Sequence, residues 1–266
     1  MGKFIMATYP SDFLTLFFGF FKGDHFFSAV TNPSVIIAEV ITYILTVLLI
    51  YHGVKKYGAW KILLFFFGSF LYTGLEENAM IYLGTLPIVQ TSGHIGGTYF
   101  FNYNMYLFWF MAVPIMVCCM WFVFAYSAFE IIHYLLNERE GTKWLLIKAI
   151  LTGLLAMMLD LLIDPVFTRL QKWYWLNGPG EALAILSIPL SNFLGWFVLI
   201  ACFAIYWEKL TELPETRGWS VKKTVGTYIP TLFALEIGTI LLVGGLTVIL
   251  SLIPGLWGQN FTIGGI

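Results

Sequence analysis

Asp160 and Asp164 stand four residues apart inside an apolar run of a 266-residue chain. On a helix this spacing stacks both carboxyls on one face, a turn apart. Two like groups so close titrate as a pair, which gives one acid and one base. Glu39, Glu76, Glu77, Glu130 and Glu236 also fall within apolar runs. Ionisable groups in lipid are costly, so each is a functional candidate by default. The Lys residues in these runs, Lys61, Lys143 and Lys148, stand at the other ends of their spans, so no buried cation is expected to neutralise the acids and desolvation should keep them protonated. A neutral carboxylic acid at neutral pH is a general acid. Plainer roles compete for each. Asp164 precedes Pro165 and could simply end its helix. Glu76 and Glu77 are adjacent and point about 100° apart, so one of them at most faces the interior. Glu130 is near enough to a span end to reach water, and Glu236 could serve helix packing. Asn192 lies in another apolar run, and Tyr99 and His94 lie in a loop before one. A buried Asn more often bridges helices than binds substrate, and a lone loop His is more often structural or solvated.

The elements that must position these groups are membrane spans. Hydrophobic residues make up 59% of the chain and charged residues 11%, against roughly 25% charged in soluble domains. Mean hydropathy is +0.82. The expected fold is an all-α, polytopic transmembrane bundle forming a single integral membrane domain over residues 1–266. A span needs about 20 apolar residues, and about six candidates occur. They are Ser34–Tyr51, Ala59–Gly84, Tyr103–Leu136, Lys143–Asp164, Ala182–Trp207 and Gly226–Ile253. The third is long enough to tilt or to kink at Pro114. Phe13–Phe21 is too short to cross and reads as an N-terminal interfacial helix. Ten of the 14 Lys and Arg residues follow spans one, three and five, and four lie on the other side. The positive-inside rule then places both termini outside the cytoplasm of a multi-pass protein in the cell membrane. No internal repeat stands out, and no second half matches the first.

Other classes are excluded or disfavoured. A net charge of -1 offers no basic face for nucleic acid. Cys118, Cys119 and Cys202 form no CxxC, and the four histidines are scattered, so neither a disulfide framework, a zinc site nor any other cofactor is expected. Trp173 and Trp175 lie in an outer loop, where an interfacial aromatic belt is the competing reading.

The order of motifs carries more than their chemistry. Asp160-Leu161-Leu162-Ile163-Asp164-Pro165 is followed by Trp173-x-Trp175. Then comes Ile188-Pro189-Leu190-Ser191-Asn192-Phe193-Leu194-Gly195-Trp196. Upstream stand the paired glutamates, Gly97-x-Tyr99-Phe100-Phe101, Val113-Pro114 and Trp121. From about Gly74 to Trp196 this resembles the CruF-type carotenoid hydratases, which include bisanhydrobacterioruberin hydratases and gamma-carotene hydratases. Lys172 stands where that family has a glycine before its W-x-W pair. The resemblance implies addition of water across a terminal C=C bond of a lipid-soluble polyene or isoprenoid, drawn from the bilayer. Asp160 or Asp164 would donate the proton, with Glu76 or Glu77 as partner. Asn192 would position water. Tyr99, Trp173, Trp175 and Trp196 would face the cation, with His94 near the substrate. Association with other carotenoid-pathway enzymes fits the same reading. Two alternatives use the same residue types: an isoprenoid cyclase, and a proton-coupled membrane transporter.

Overall fold

The computed structural model describes residues 19–22, 26–28, 30, 32–85, 99–175, 184–251, 253 and 260–261. His94 and most of Phe13–Phe21 lie outside them; residues 19–22 are helical. The chain is a helical bundle of α1 (Pro33–Tyr57), α2 (Ala59–Thr85), α3 (Ile115–Leu135), α4 (Thr142–Arg169), α5 (Leu190–Thr211), the short α6 (Leu213–Arg217) and α7 (Val221–Ser251). Five of these are long and apolar enough to cross a membrane: α1, α3, α4, α5 and most of α7. Six spans are expected from the sequence. The sixth, α2, has 27 residues, but Lys61, Glu76, Glu77 and Asn78 interrupt its apolar run. It still packs among the others, against α1, α3 and α7.

Local chemistry sets the helix ends. Asn32 caps α1 by accepting from the Ser34 amide, with Pro33 at the first helical position. Gly58 at φ 85° then reverses the chain directly into α2, a conformation that glycine adopts without strain. Ionic pairs gather at this end of the bundle. Lys56 meets Glu130 at 2.5 Å, Lys61 meets Glu215 at 2.9 Å, and His133 lies 3.4 Å from Glu208. Glu130 thus has a cationic partner. Just inside, Phe65 of α2 is ringed edge-to-face by Phe122, Tyr126, Phe129, Phe203 and Trp207, with centroids 5.1–6.0 Å away.

The opposite end is built from short strands. β1 (Tyr99–Phe101) pairs antiparallel with β4 (Trp173–Trp175), placing Tyr99 opposite Trp175 and Phe101 opposite Trp173. β2 (Trp109–Phe110) and β3 (Val113–Pro114) form one hairpin, and β5 (Ala184–Ile185) and β6 (Ile188–Pro189) form another, with β7 (Asn260–Phe261) alongside β5. Both hairpins use two-residue turns with positive φ: Met111 at 56° in the first, Leu186 at 53° and Ser187 at 69° in the second. Two expected spans are therefore shorter than their apolar runs. The third starts at Ile115 and the fifth at Leu190, because Pro114 and Pro189 end a strand and seed the helix behind it. Buried polar side chains hold this cap. Asn78 donates to the Gly74 and Phe110 carbonyls and accepts from the Ala112 amide. Glu39 accepts from the Leu107 amide at 2.5 Å and from Tyr43 at 2.7 Å.

This geometry contains a repeat, contrary to the sequence reading. Helix, strand, two-residue-turn hairpin and helix occur in that order twice, as α2–β1–β2–β3–α3 and α4–β4–β5–β6–α5. The units run in the same direction. Their sequences share little beyond a proline that starts the last helix and a tryptophan seven residues on, Pro114 and Trp121 against Pro189 and Trp196. Packing needs only matching shapes, so the order of elements persists where residue identity does not.

The most extensive helix–helix packing among the described residues is α4 on α5. Ala149, Thr152, Gly153 and Ala156 line the buried face of α4, and small residues let backbones approach. A Cβ on Gly153 would sit 2.5 Å from the Phe197 carbonyl oxygen, whereas one on Gly238 would meet nothing within 4 Å. Gly153→Ala is expected to destabilise by about 1–3 kcal/mol and to lower the unfolding temperature in detergent, while Gly238→Ala leaves it unchanged or raises it.

Candidate active site

Continuing down α4, the stripe of small residues gives way to Asp160 and Asp164, seven and eleven positions after Gly153. The aspartates are 4% and 3% exposed. Pro165 does not end the helix; α4 continues to Arg169 and carries Asp164 inside it. Across the interface, Asn192 lies in the first turn of α5. Its side-chain amide donates to Asp160 Oδ2 and to Asp164 Oδ2, both at 2.8 Å. The indole N–H of Trp173 donates to Asp164 Oδ1 at 2.5 Å. Asp164 thus accepts on both oxygens, while Asp160 Oδ1 has no protein partner among the described residues. Both amide hydrogens of Asn192 are engaged by the aspartates, so it bridges the pair.

Glu77 reaches the same place from α2. Trp121 of α3 donates its indole N–H to Glu77 Oε1 at 3.0 Å, and Glu77 is 7% exposed. The Trp121 ring lies flat on Trp196 of α5, with centroids 3.5 Å apart and planes 4° from parallel. One cavity of about 40 Å³ is lined by Glu77, Asp160, Asp164 and Asn192, with Tyr99, Trp173, Trp175 and Trp196 around them. Among the described residues no Lys or Arg lines it.

Eight of the ten site residues expected from the sequence meet at this cavity. Glu76 does not. It is half-buried and turns toward Glu236 of α7, within electrostatic reach of it. Both Glu236 oxygens are buried without a hydrogen-bond partner. His94, the tenth, lies outside the described residues. Trp121, Met120 and Phe124 also line the cavity and were not among the expected site residues. The signal for Trp121 was its seven-residue offset from Pro114, the same as that of Trp196 from Pro189. Lys172, beside the W-x-W pair, faces away. Its ammonium lies 5.5 Å over the Tyr106 ring. Burial pulls its pKa below the usual lysine range, and the Glu39 charge acts against that.

The family described as "Carotenoid biosynthesis protein" matches residues 34–259. The chain belongs to it. No curated protein and no solved structure gives a significant match. A membrane protein of carotenoid biosynthesis with this cavity combines a carboxyl triad with an indole-walled, cation-free interior. That chemistry suits proton transfer to an apolar substrate.

Asn192→Leu removes both donors of the bridge. Hydrogen bonds to charged or strongly polar groups contribute about 1.5–3 kcal/mol each. Turnover should therefore fall roughly ten- to a hundredfold, with the detergent unfolding temperature lowered by only a few degrees. Unchanged turnover in a membrane assay would show that the bridge plays no part in the chemistry.

Proposed function

We propose that the protein is a carotenoid hydratase, adding water across a terminal trisubstituted C=C bond of a polyene. The observation that carries this reading is the convergence of Asp160, Asp164 and Glu77 on one tryptophan-walled cavity that no cation lines. Asp160 is the acid, because it alone of the aspartates keeps an oxygen uncommitted. Its proton passes to the less substituted alkene carbon, and the π pair becomes the new C–H bond. The tertiary cation that results lies among aromatic faces, each able to contribute up to about 2 kcal/mol of cation–π attraction when desolvated. Water oxygen bonds the cation and releases one proton to a carboxylate, so the net change is one water added. Asn192 and Trp173 donate to both oxygens of Asp164 and hold it beside the acid.

Two observations favour hydration over its competitors. The cavity has room for a few waters, at about 10–15 Å³ of accessible space each, and Glu77, Asp160 and Asn192 on its wall offer them polar partners, which favours water over an internal alkene as the group that captures the cation. The aromatic cluster around Phe65 fills the bundle between the cavity and the ionic end, which disfavours a transport path. In this reading the polyene enters from the bilayer, the ionic end faces the cytoplasm, and the acid end faces outward.

Expression in cells that accumulate acyclic carotenoids is expected to give pigments heavier by one water. Products of unchanged mass but altered absorption would instead indicate cyclisation. Asp160→Asn should lower hydrated product by roughly a hundredfold or more, the usual worth of a positioned general acid, and Asp164→Asn by less. Full hydration by both variants would remove the acid assignment.

A further inference from the structure

Strand alternation aims Trp173 and Trp175 the same way, with Tyr174 between them turned out. Both indoles line the cavity. Trp173 uses its N–H on Asp164, but Trp175 Nε1 is buried and has no hydrogen-bond partner. The Trp175 ring is occupied on one side by Tyr99, with centroids 4.8 Å apart. Glu77 is in a matching position. Its Oε1 accepts from Trp121, while its Oε2 is buried and unpartnered. A buried donor and a buried acceptor without partners are each uncommon and call for a ligand. Here both belong to the wall of one cavity, and a buried water characteristically joins such groups through about three hydrogen bonds.

We propose that Glu77 and Trp175 form the binding site for the water that the reaction consumes. This rests on the hydratase reading. The Trp175 N–H donates to the water oxygen and the water donates to Glu77 Oε2, which leaves one oxygen lone pair for the cation. As the C–O bond forms, that O–H bond breaks and its proton goes to the Glu77 carboxylate. A following water carries the proton from Glu77 to the Asp160 carboxylate, so both carboxyls are restored and no proton is gained or lost. The site separates two tasks. Asp160, Asn192 and Asp164 protonate, and Glu77 and Trp175 supply the nucleophile. Trp175 therefore acts through its N–H, in contrast to the ring-face role expected from the sequence.

The test uses membranes containing the full chain, an acyclic carotenoid with a terminal trisubstituted alkene, and deuterated water. Two readouts are followed: hydrated product, and deuterium on the less substituted alkene carbon of the end group in recovered unhydrated carotenoid, which reports reversible protonation without water capture. Trp175→Phe keeps the ring and removes the N–H. It is expected to lower hydration roughly tenfold or more while deuterium exchange persists, so that the ratio of exchange to hydration rises. Trp175→His, which restores a ring N–H, should recover part of the hydration. Hydration by Trp175→Phe at the wild-type rate would overturn the water site, as would a proportional loss of both readouts. Should the wild-type protein neither hydrate nor exchange, the hydratase reading itself falls.

Discussion

Three carboxyl groups sit in the interior of an apolar bundle with no ammonium or guanidinium beside them among the described residues. Everything around them follows from the need to offer those oxygens hydrogen-bond donors without offering charge. The donors are the amide of Asn192 and the indole N–H groups of Trp173 and Trp121. Each is neutral and rigid. An Arg or Lys in the same position would fix the carboxyls as anions through Coulomb attraction strengthened by the low dielectric, and a fixed anion cannot protonate an alkene. Neutral donors orient the acids and leave a proton available. Tryptophan has the further property of presenting an electron-rich face in the direction its N–H does not use.

The architecture exists to bring those donors and acceptors from different helices to one point. Asp160 and Asp164 ride on α4, and Asn192 can reach them because the α4–α5 contact is closed by Gly153 and Ala156 one to three turns away. Glu77 comes from the other repeat. Its partner Trp121 lies flat against Trp196, so the two halves meet through a pair of stacked indoles. The prolines that begin α3 and α5 fix where each tryptophan falls on its helix. The hairpins before them spend backbone strain at Met111, Leu186 and Ser187 to make the turn tight. The antiparallel register of β1 with β4 then lays Tyr99 over Trp175 and closes the cavity from the cap side.

Much of this was legible in the sequence. Hydropathy gave the helices, and the four-residue spacing of Asp160 and Asp164 gave their shared face. The same physics explains what was not legible. Apolar runs mark where a chain can be buried, not where it must be helical, so Tyr103–Pro114 and Ala182–Pro189 read as span when they include hairpins. Adjacent Glu76 and Glu77 could not be told apart without knowing which neighbours flank α2; α3 and its Trp121 claim one, and α7 with Glu236 lies beside the other. Asn192 was expected to position water; its bridging of the two aspartates depends on an α4–α5 approach that only Gly153 hints at. The repeat escaped because its two copies conserve turn geometry rather than residues.

The placement of these carboxyl groups at one end of the bundle is what a hydratase of this kind would need. A polyene is soluble only in the bilayer, and water only outside it, so their meeting point must lie near the boundary between the two. Deep in the bundle the aromatic cluster around Phe65 leaves no polar route for water. At the capped end, the cavity wall carries the polar side chains of Glu77, Asp160 and Asn192, which can bind water that enters. In the proposed reaction the cation would meet a bound nucleophile before it could rearrange, so product identity would be decided by what the site excludes as much as by the acid that opens the reaction.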